Sequence, residues 1–162
     1  MNFIDDEHKS FFENKMKELN KLGKKDVYYK SLVYTLGICE TTREHFKEIF
    51  NINQSEVNLD SIQKGWQTGT SEKVTRMAFN LWNHSLMYDS EDDLDKEKIS
   101  SSYAPSEIFC CSFAPYFWEA IKIRYPEYTN YIKSNNGIDY YTYMRVGNKE
   151  QLDEEDKEEN FK

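Results

Sequence analysis

Along most of this chain, apolar residues recur at the three-to-four-residue spacing of helices laid on a common core. Phe12, Met16 and Leu19, with Phe11, His8 and Leu22 alongside, mark one face of a first helix, which Asp5 or Asp6 caps and Gly23 ends. In "DVYYKSLVYTLGIC", Asp26 is the cap and Tyr28, Leu32, Leu36 and Cys39 keep helical spacing. Its tyrosines and β-branched residues leave a strand open as the alternative. "ETTREHFKEIF" predicts a third helix with His45, Phe46, Ile49 and Phe50 inward, and "NINQSEVNLDSIQKG" a polar connection with a short helical turn after Asp60. Val74, Met77, Ala78, Leu81, Trp82 and Ser85 then outline an amphipathic helix ending near Tyr88.

The most apolar stretch, "EIFCCSFAPYFWEAIKIRYPEY", predicts another helix, with Pro115 suited to a first helical position and Pro126 ending it at Tyr125. "EYTNYIKS" adds one or two turns, and "NNG" turns the chain into "IDYYTYMRV", β-rich in composition but without an evident partner strand. The expected fold is mostly α: a single irregular bundle of five or six short helices over residues 1–148, with a short β element near 138–146.

Charge adds detail to this picture. The net charge of −8 lies in two places, "DSEDDLDKEK" at 89–98 and "KEQLDEEDKEENFK" at 149–162, each −4, so the rest of the chain is balanced. The second reads as an acidic, disordered tail outside the domain. At 162 residues, with 15% aromatics, the remainder is one domain with a real core. No basic patch exceeds "KLGKK" at 21–25, which argues against direct nucleic-acid binding. No apolar run reaches the roughly 18 residues of a membrane span, and the acidic start has no signal-peptide block. Cys39, Cys110 and Cys111 fit neither a disulfide framework nor a zinc spacing, so a cytoplasmic protein is expected.

Chemistry is legible at one stretch, "GWQTGTSEKVTRMAFNLWN" at 65–83. A helix start rich in hydroxyls favours an anion, because its free N–H groups and dipole end are positive. Gln67, Thr68, Gly69, Thr70 and Ser71 are placed to line such a site, with Lys73 and Arg76 adding charge and Trp66 a stacking face. The phosphate-loop signature GK[ST] is missing, and no strand precedes. A plain helix start accounts for the same residues: Gly69 permits the turn, Thr70 or Ser71 caps, and Arg76 pairs with a nearby acid. Lys73, Arg76, Asn80 and Asn83 form one polar stripe on the outer face, with His84 beside it. Helix exteriors are usually polar, so a solvated face is the default reading. Asparagine is a poor helix former, and two on one face make a contact surface for a partner or ligand the alternative.

Other candidates weigh less. The "CC" pair sits among phenylalanines with no base nearby and reads as core. His8, His45 and His84 fall at no metal spacing, and "TTREHF" at His45 is explained by capping and packing rather than acid–base work. "DSEDDLDKE" lacks the central glycine of a calcium loop, and Ser100 stands where its closing glutamate belongs. No catalytic residue, metal or cofactor is assigned.

Across "DVYYKSLVYTLGICETTREHFKEIF" and "GWQTGTSEKVTRMAFNLWN", roughly residues 26–83, the chain resembles a family of small bacterial proteins of unknown function. That family is found in clostridia and related Firmicutes and in part in phages and other mobile elements. The resemblance implies a genomic setting but carries no site residue with it. It implies a small non-catalytic protein that binds and modulates a host protein, including inhibition of nucleic-acid-directed defence, its acidic segments meeting a basic channel. The alternative is a phosphate- or nucleotide-binding module, or minor enzyme, built on residues 66–76.

Overall fold

Asp5 opens the first helix, its Oδ1 accepting from the His8 backbone N–H at 2.6 Å, and α1 runs Asp6–Lys21. Past its other end Gly23 adopts φ 73°, and the N–H groups of Gly23 and Lys24 donate to the carbonyls of Asn20 and Leu19. That paired closure needs a left-handed residue, which glycine supplies without a Cβ clash. Asp26 caps α2 (Val27–Gly37) in the same way as Asp5, accepting from Tyr28 and Tyr29. This is a computed structural model that describes residues 1–83, 104–129, 131–133 and 139–141. The acidic segment 89–98, the tail 149–162, Ser85, Tyr88, Ser100 and most of 138–146 lie outside them.

After α2 come α3 (Glu40–Glu44) and α4 (Phe46–Ile49), then a two-stranded hairpin, β1 (Phe50–Asn51) with β2 (Glu56–Val57), and a 3-10 turn at Leu59–Gln63. α5 spans Gly69–Asn83, α6 Pro105–Ile108 and α7 Ala114–Arg124. These elements belong to a compact unit of residues 1–124. From Tyr125 onward the chain forms a second unit, with one helical turn, α8 (Pro126–Thr129), and an antiparallel pair of β3 (Tyr131–Lys133) and β4 (Asp139–Tyr141).

The described fold is mostly α, as the spacing predicts. α2 is its central helix: every residue from Ser31 to Ile38 is buried, and α1, α5 and α7 pack around it. A helix covered on all sides must be apolar or self-satisfied all round. The hydroxyls of Ser31 and Thr35 meet that demand by donating to the carbonyls of Tyr28 and Ser31. A strand there is thereby excluded. The closest approach is at Gly37, where an added Cβ would stand 2.7 Å from His8 Cδ2. His8 is fully buried in the crossing. Ile4 N–H donates to its Nδ1, leaving Nε2–H to donate to the Tyr34 carbonyl at 2.8 Å. α5 delivers Val74, Met77, Ala78, Phe79 and Leu81 to the core, and each large apolar side chain buried this way is worth about 1.5–3 kcal/mol.

Four local expectations change. The helix over "ETTREHFKEIF" breaks at His45, which is part-exposed at the surface rather than inward. The polar connection contains the β1–β2 hairpin. "CC" lies in the bend between α6 and α7, with Cys110 exposed and Cys111 half-buried, so the pair is not core. "YIK" of the expected extra helical turns is instead the strand that partners "DYY".

Candidate functional site

The start of α5 is built as a closed cap. Thr68 precedes the helix and its Oγ1 accepts from the Ser71 N–H at 3.2 Å, while Ser71 Oγ accepts from the Thr68 N–H at 2.8 Å. This is a reciprocal capping box, with serine in the position usually held by glutamate or glutamine. Ser71, fully buried, also donates to Gln67 Oε1 at 2.6 Å. Gln67 Nε2 donates inward to the Ser61 carbonyl and to Thr75 Oγ1, both at 3.1 Å. Thr70 and Gly69 are exposed, and a Cβ on Gly69 would meet nothing within 4 Å. The capping residue is therefore Thr68, with Ser71 as its reciprocal partner.

Lys73 Nζ donates to the carbonyls of Glu107 and Cys110, at 2.6 and 3.2 Å, tying α5 to the end of α6. Arg76 pairs with Glu72 one turn earlier on the same helix. Asn80 is half-buried on that side of α5. Asn83 closes the described helix, and His84 lies outside the described residues.

Trp66 faces away from this cap. Its indole lies on the His45 imidazole with centroids 4.2 Å apart, and its Nε1 donates to Glu48 Oε2 at 3.1 Å. The other carboxylate oxygen accepts from His45 Nδ1 at 2.7 Å. Hydrogen bonds from His45 first, and then from Trp66, hold the Glu48 carboxyl below the usual carboxylate range. The His45 imidazole, at the break between α3 and α4, thus joins both Trp66 and Glu48.

Beside this cluster opens a polar cleft of about 490 Å³. α4 contributes Lys47 and Glu48, the hairpin Asn51 and Gln54, and the flanks of the 3-10 turn Asn58 and Lys64. Its walls are fixed. Lys24 Nζ donates to the carbonyls of Ile52 and Asn53, and Tyr29 Oη to Ser55 Oγ at 2.8 Å. Asn51 Oδ1 accepts from two following N–H groups, and Asn58 Nδ2 donates to the Glu48 carbonyl. Ser55 takes φ 60°, a left-handed conformation uncommon outside glycine. None of Gln67, Thr68, Thr70, Ser71, Lys73 and Arg76 lines this cleft, and Trp66 reaches it only through Glu48. The cleft residues carry no recognisable motif; the run "NINQ" of amide side chains was their one trace in the sequence.

Among the described residues no group of three or more His, Cys, Asp or Glu is placed to hold a metal ion, and no helix is long and apolar enough to cross a membrane.

A family model described as a family of unknown function (DUF6075) matches residues 1–137, and the chain belongs to that family. No curated protein and no solved structure gives a match.

Proposed function

We propose that this member of the family is a non-catalytic interaction protein of a bacterium or a mobile element, which binds a host protein and modulates it. One observation carries this reading: the side-chain groups of Gln67, Thr68 and Ser71, where a phosphate would have to bind, are committed to the capping box and the fold beneath it. Lys73 and Arg76 are likewise engaged, on the α6 carbonyls and on Glu72. That supports a contact surface over a phosphate- or nucleotide-binding module at 66–76. The surface in question is the polar stripe of α5 at Arg76, Asn80 and Asn83, with His84 next in sequence. A narrower form of the reading makes the partner a nucleic-acid-directed defence protein, with segments 89–98 and 149–162, each of charge −4, entering its basic channel.

The test is a host-lysate capture with wild type and an Arg76→Ala/Asn80→Ala variant, run beside a thermal-shift screen with nucleotides. The reading expects a discrete protein that wild type retains and that the variant, still folded by its cooperative melting, does not. A nucleotide that raises the melting temperature of wild type and not of Arg76→Ala would overturn it.

A further inference from the structure

Cys110 and Cys111 stand outside any helix, in the bend that joins α6 to α7. On a helix, adjoining side chains do not face each other. That geometry is absent here: the Cys111 N–H donates to the Phe109 carbonyl at 2.8 Å, a tight turn with Cys110 at its centre. Both residues are free thiols. Cys110 is exposed, and Cys111 is half-buried, its Sγ–H donating weakly to the Ile108 carbonyl at 3.6 Å. A thiol open to solvent, with a second thiol on the adjoining residue, is the arrangement in which a sulfenic acid is resolved as a disulfide.

The geometry of the bend sets what such a bond does. A trans peptide holds adjoining Cα atoms about 3.8 Å apart, short of the roughly 4.4–6.8 Å spanned by ordinary disulfides. Joining Cys110 to Cys111 therefore twists the amide between them, and the bond is strained and easily reduced, a reversible link rather than a permanent staple. The carbonyl of that amide belongs to Cys110, and Lys73 Nζ on α5 donates to it at 3.2 Å. Turning the amide withdraws this acceptor and leaves Lys73 with the Glu107 carbonyl, at 2.6 Å. The state of the two thiols is thereby coupled to the tie between the bend and the first turns of α5.

We infer that Cys110 and Cys111 form a reversible, peroxide-sensitive dithiol switch, which on oxidation closes a disulfide within the bend and loosens its tie to Lys73. The Cys110 thiolate attacks one oxygen of hydrogen peroxide. The O–O bond breaks, and the departing hydroxide is neutralised by the proton the thiol shed. The Cys111 sulfur then attacks the Cys110 sulfenic acid, whose hydroxyl leaves with the Cys111 proton as water. Peroxide takes up the two electrons the sulfurs lose, and a dithiol reductant returns them. This switch stands apart from the proposed partner surface and does not depend on it.

Mass spectrometry of the full chain and of its peptides, after treatment with limiting hydrogen peroxide, tests it. The expected product is a monomer lighter by two hydrogens, the loss confined to the peptide that holds Cys110 and Cys111, and dithiothreitol should restore the starting mass. Cys110→Ser and Cys111→Ser should each abolish that product, whereas Cys39→Ser should leave it unchanged. Oxidised wild type should melt about 2–4 °C below the reduced protein, and the difference should shrink in Lys73→Met, which lacks the contact from the start. A chain that gains oxygen without closing the bond would overturn the inference, as would a disulfide that engages Cys39 or a second chain. So would equal melting of the oxidised and reduced forms, or a difference that Lys73→Met leaves at full size.

Discussion

The Trp66 indole lies flat on the His45 imidazole, with ring centroids 4.2 Å apart and planes 1° from parallel, and Glu48 bonds to both rings. This cluster ties the start of α4 to the loop that leads into α5, and its Glu48 lines the polar cleft. Trp66→Ala should cost about 1 kcal/mol from the lost ring pair, and Trp66→Phe, which keeps a stacked ring, distinctly less. Urea unfolding of both variants checks the order.

Glu48 adds a pH dependence of known sign. His45 and then Trp66 hold its folded-state carboxyl below the usual range, so its contribution is present above the unfolded value and fades as pH falls through the folded one. The melting temperature of wild type should exceed that of Glu48→Gln near neutrality, and the gap should close as acid protonates the carboxyl. A gap independent of pH would show that the charge on Glu48 plays no part.

His8 acts in a higher pH window. Burial pushes its imidazole down from the ordinary 6.5 to about 4, against the opposing pull of the Tyr34 carbonyl and of Asp5; the positive charge of Arg43 lowers it further. The unfolded chain binds a proton there before the folded one, so stability is full above 6.5 and declines as pH falls toward 4. The loss across that window is of order 3 kcal/mol. His8→Gln retains a donor for the Tyr34 carbonyl and cannot titrate, so it should start less stable and show a flatter profile between those limits. Equal slopes for the two proteins would count against the buried neutral imidazole.

Two glycines should respond in opposite directions to alanine. At Gly37 the new Cβ meets His8 at 2.7 Å and Phe11 at 3.0 Å, and overpacking should cost about 1–3 kcal/mol in spite of alanine's better helix propensity. At Gly69 nothing lies within 4 Å, and alanine should stabilise by about 0.5–1 kcal/mol. Thermal denaturation of the pair separates a packing glycine from a dispensable one.

Thr68→Ala removes the acceptor of the capping box and should cost about 1 kcal/mol, while Thr68→Ser should be close to neutral. If both variants matched wild type in urea unfolding, the capping role of Thr68 would be lost.

What the sequence revealed follows from the range of the forces involved. Asp5, Gly23 and Asp26 act within a turn of their own position, and the chain carried their roles in plain view. The apolar stripe of α5 was equally legible, because its period survives any partner. The break at His45 was not, since no glycine or proline marks it and the ring that meets His45, Trp66, lies far along the chain. The β1–β2 hairpin lacked a signature as well: it turns on Asn51 and a left-handed Ser55, held from outside by Lys24 and Tyr29. For the candidate site the residues of the hydroxyl stretch were visible, but not that Gln67 and Ser71 would turn their groups inward. The cleft draws on three elements whose meeting no local spacing encodes.

The polar stripe of α5 around Asn80 is the proposed meeting point with a partner protein. A photo-crosslinking side chain at Asn80, in the full chain within host extract, addresses it most directly. A discrete adduct with one host protein, lost when unlabelled wild-type chain competes, is the predicted result. No adduct at Asn80, together with a nucleotide that stabilises wild type but not Arg76→Ala, would contradict it.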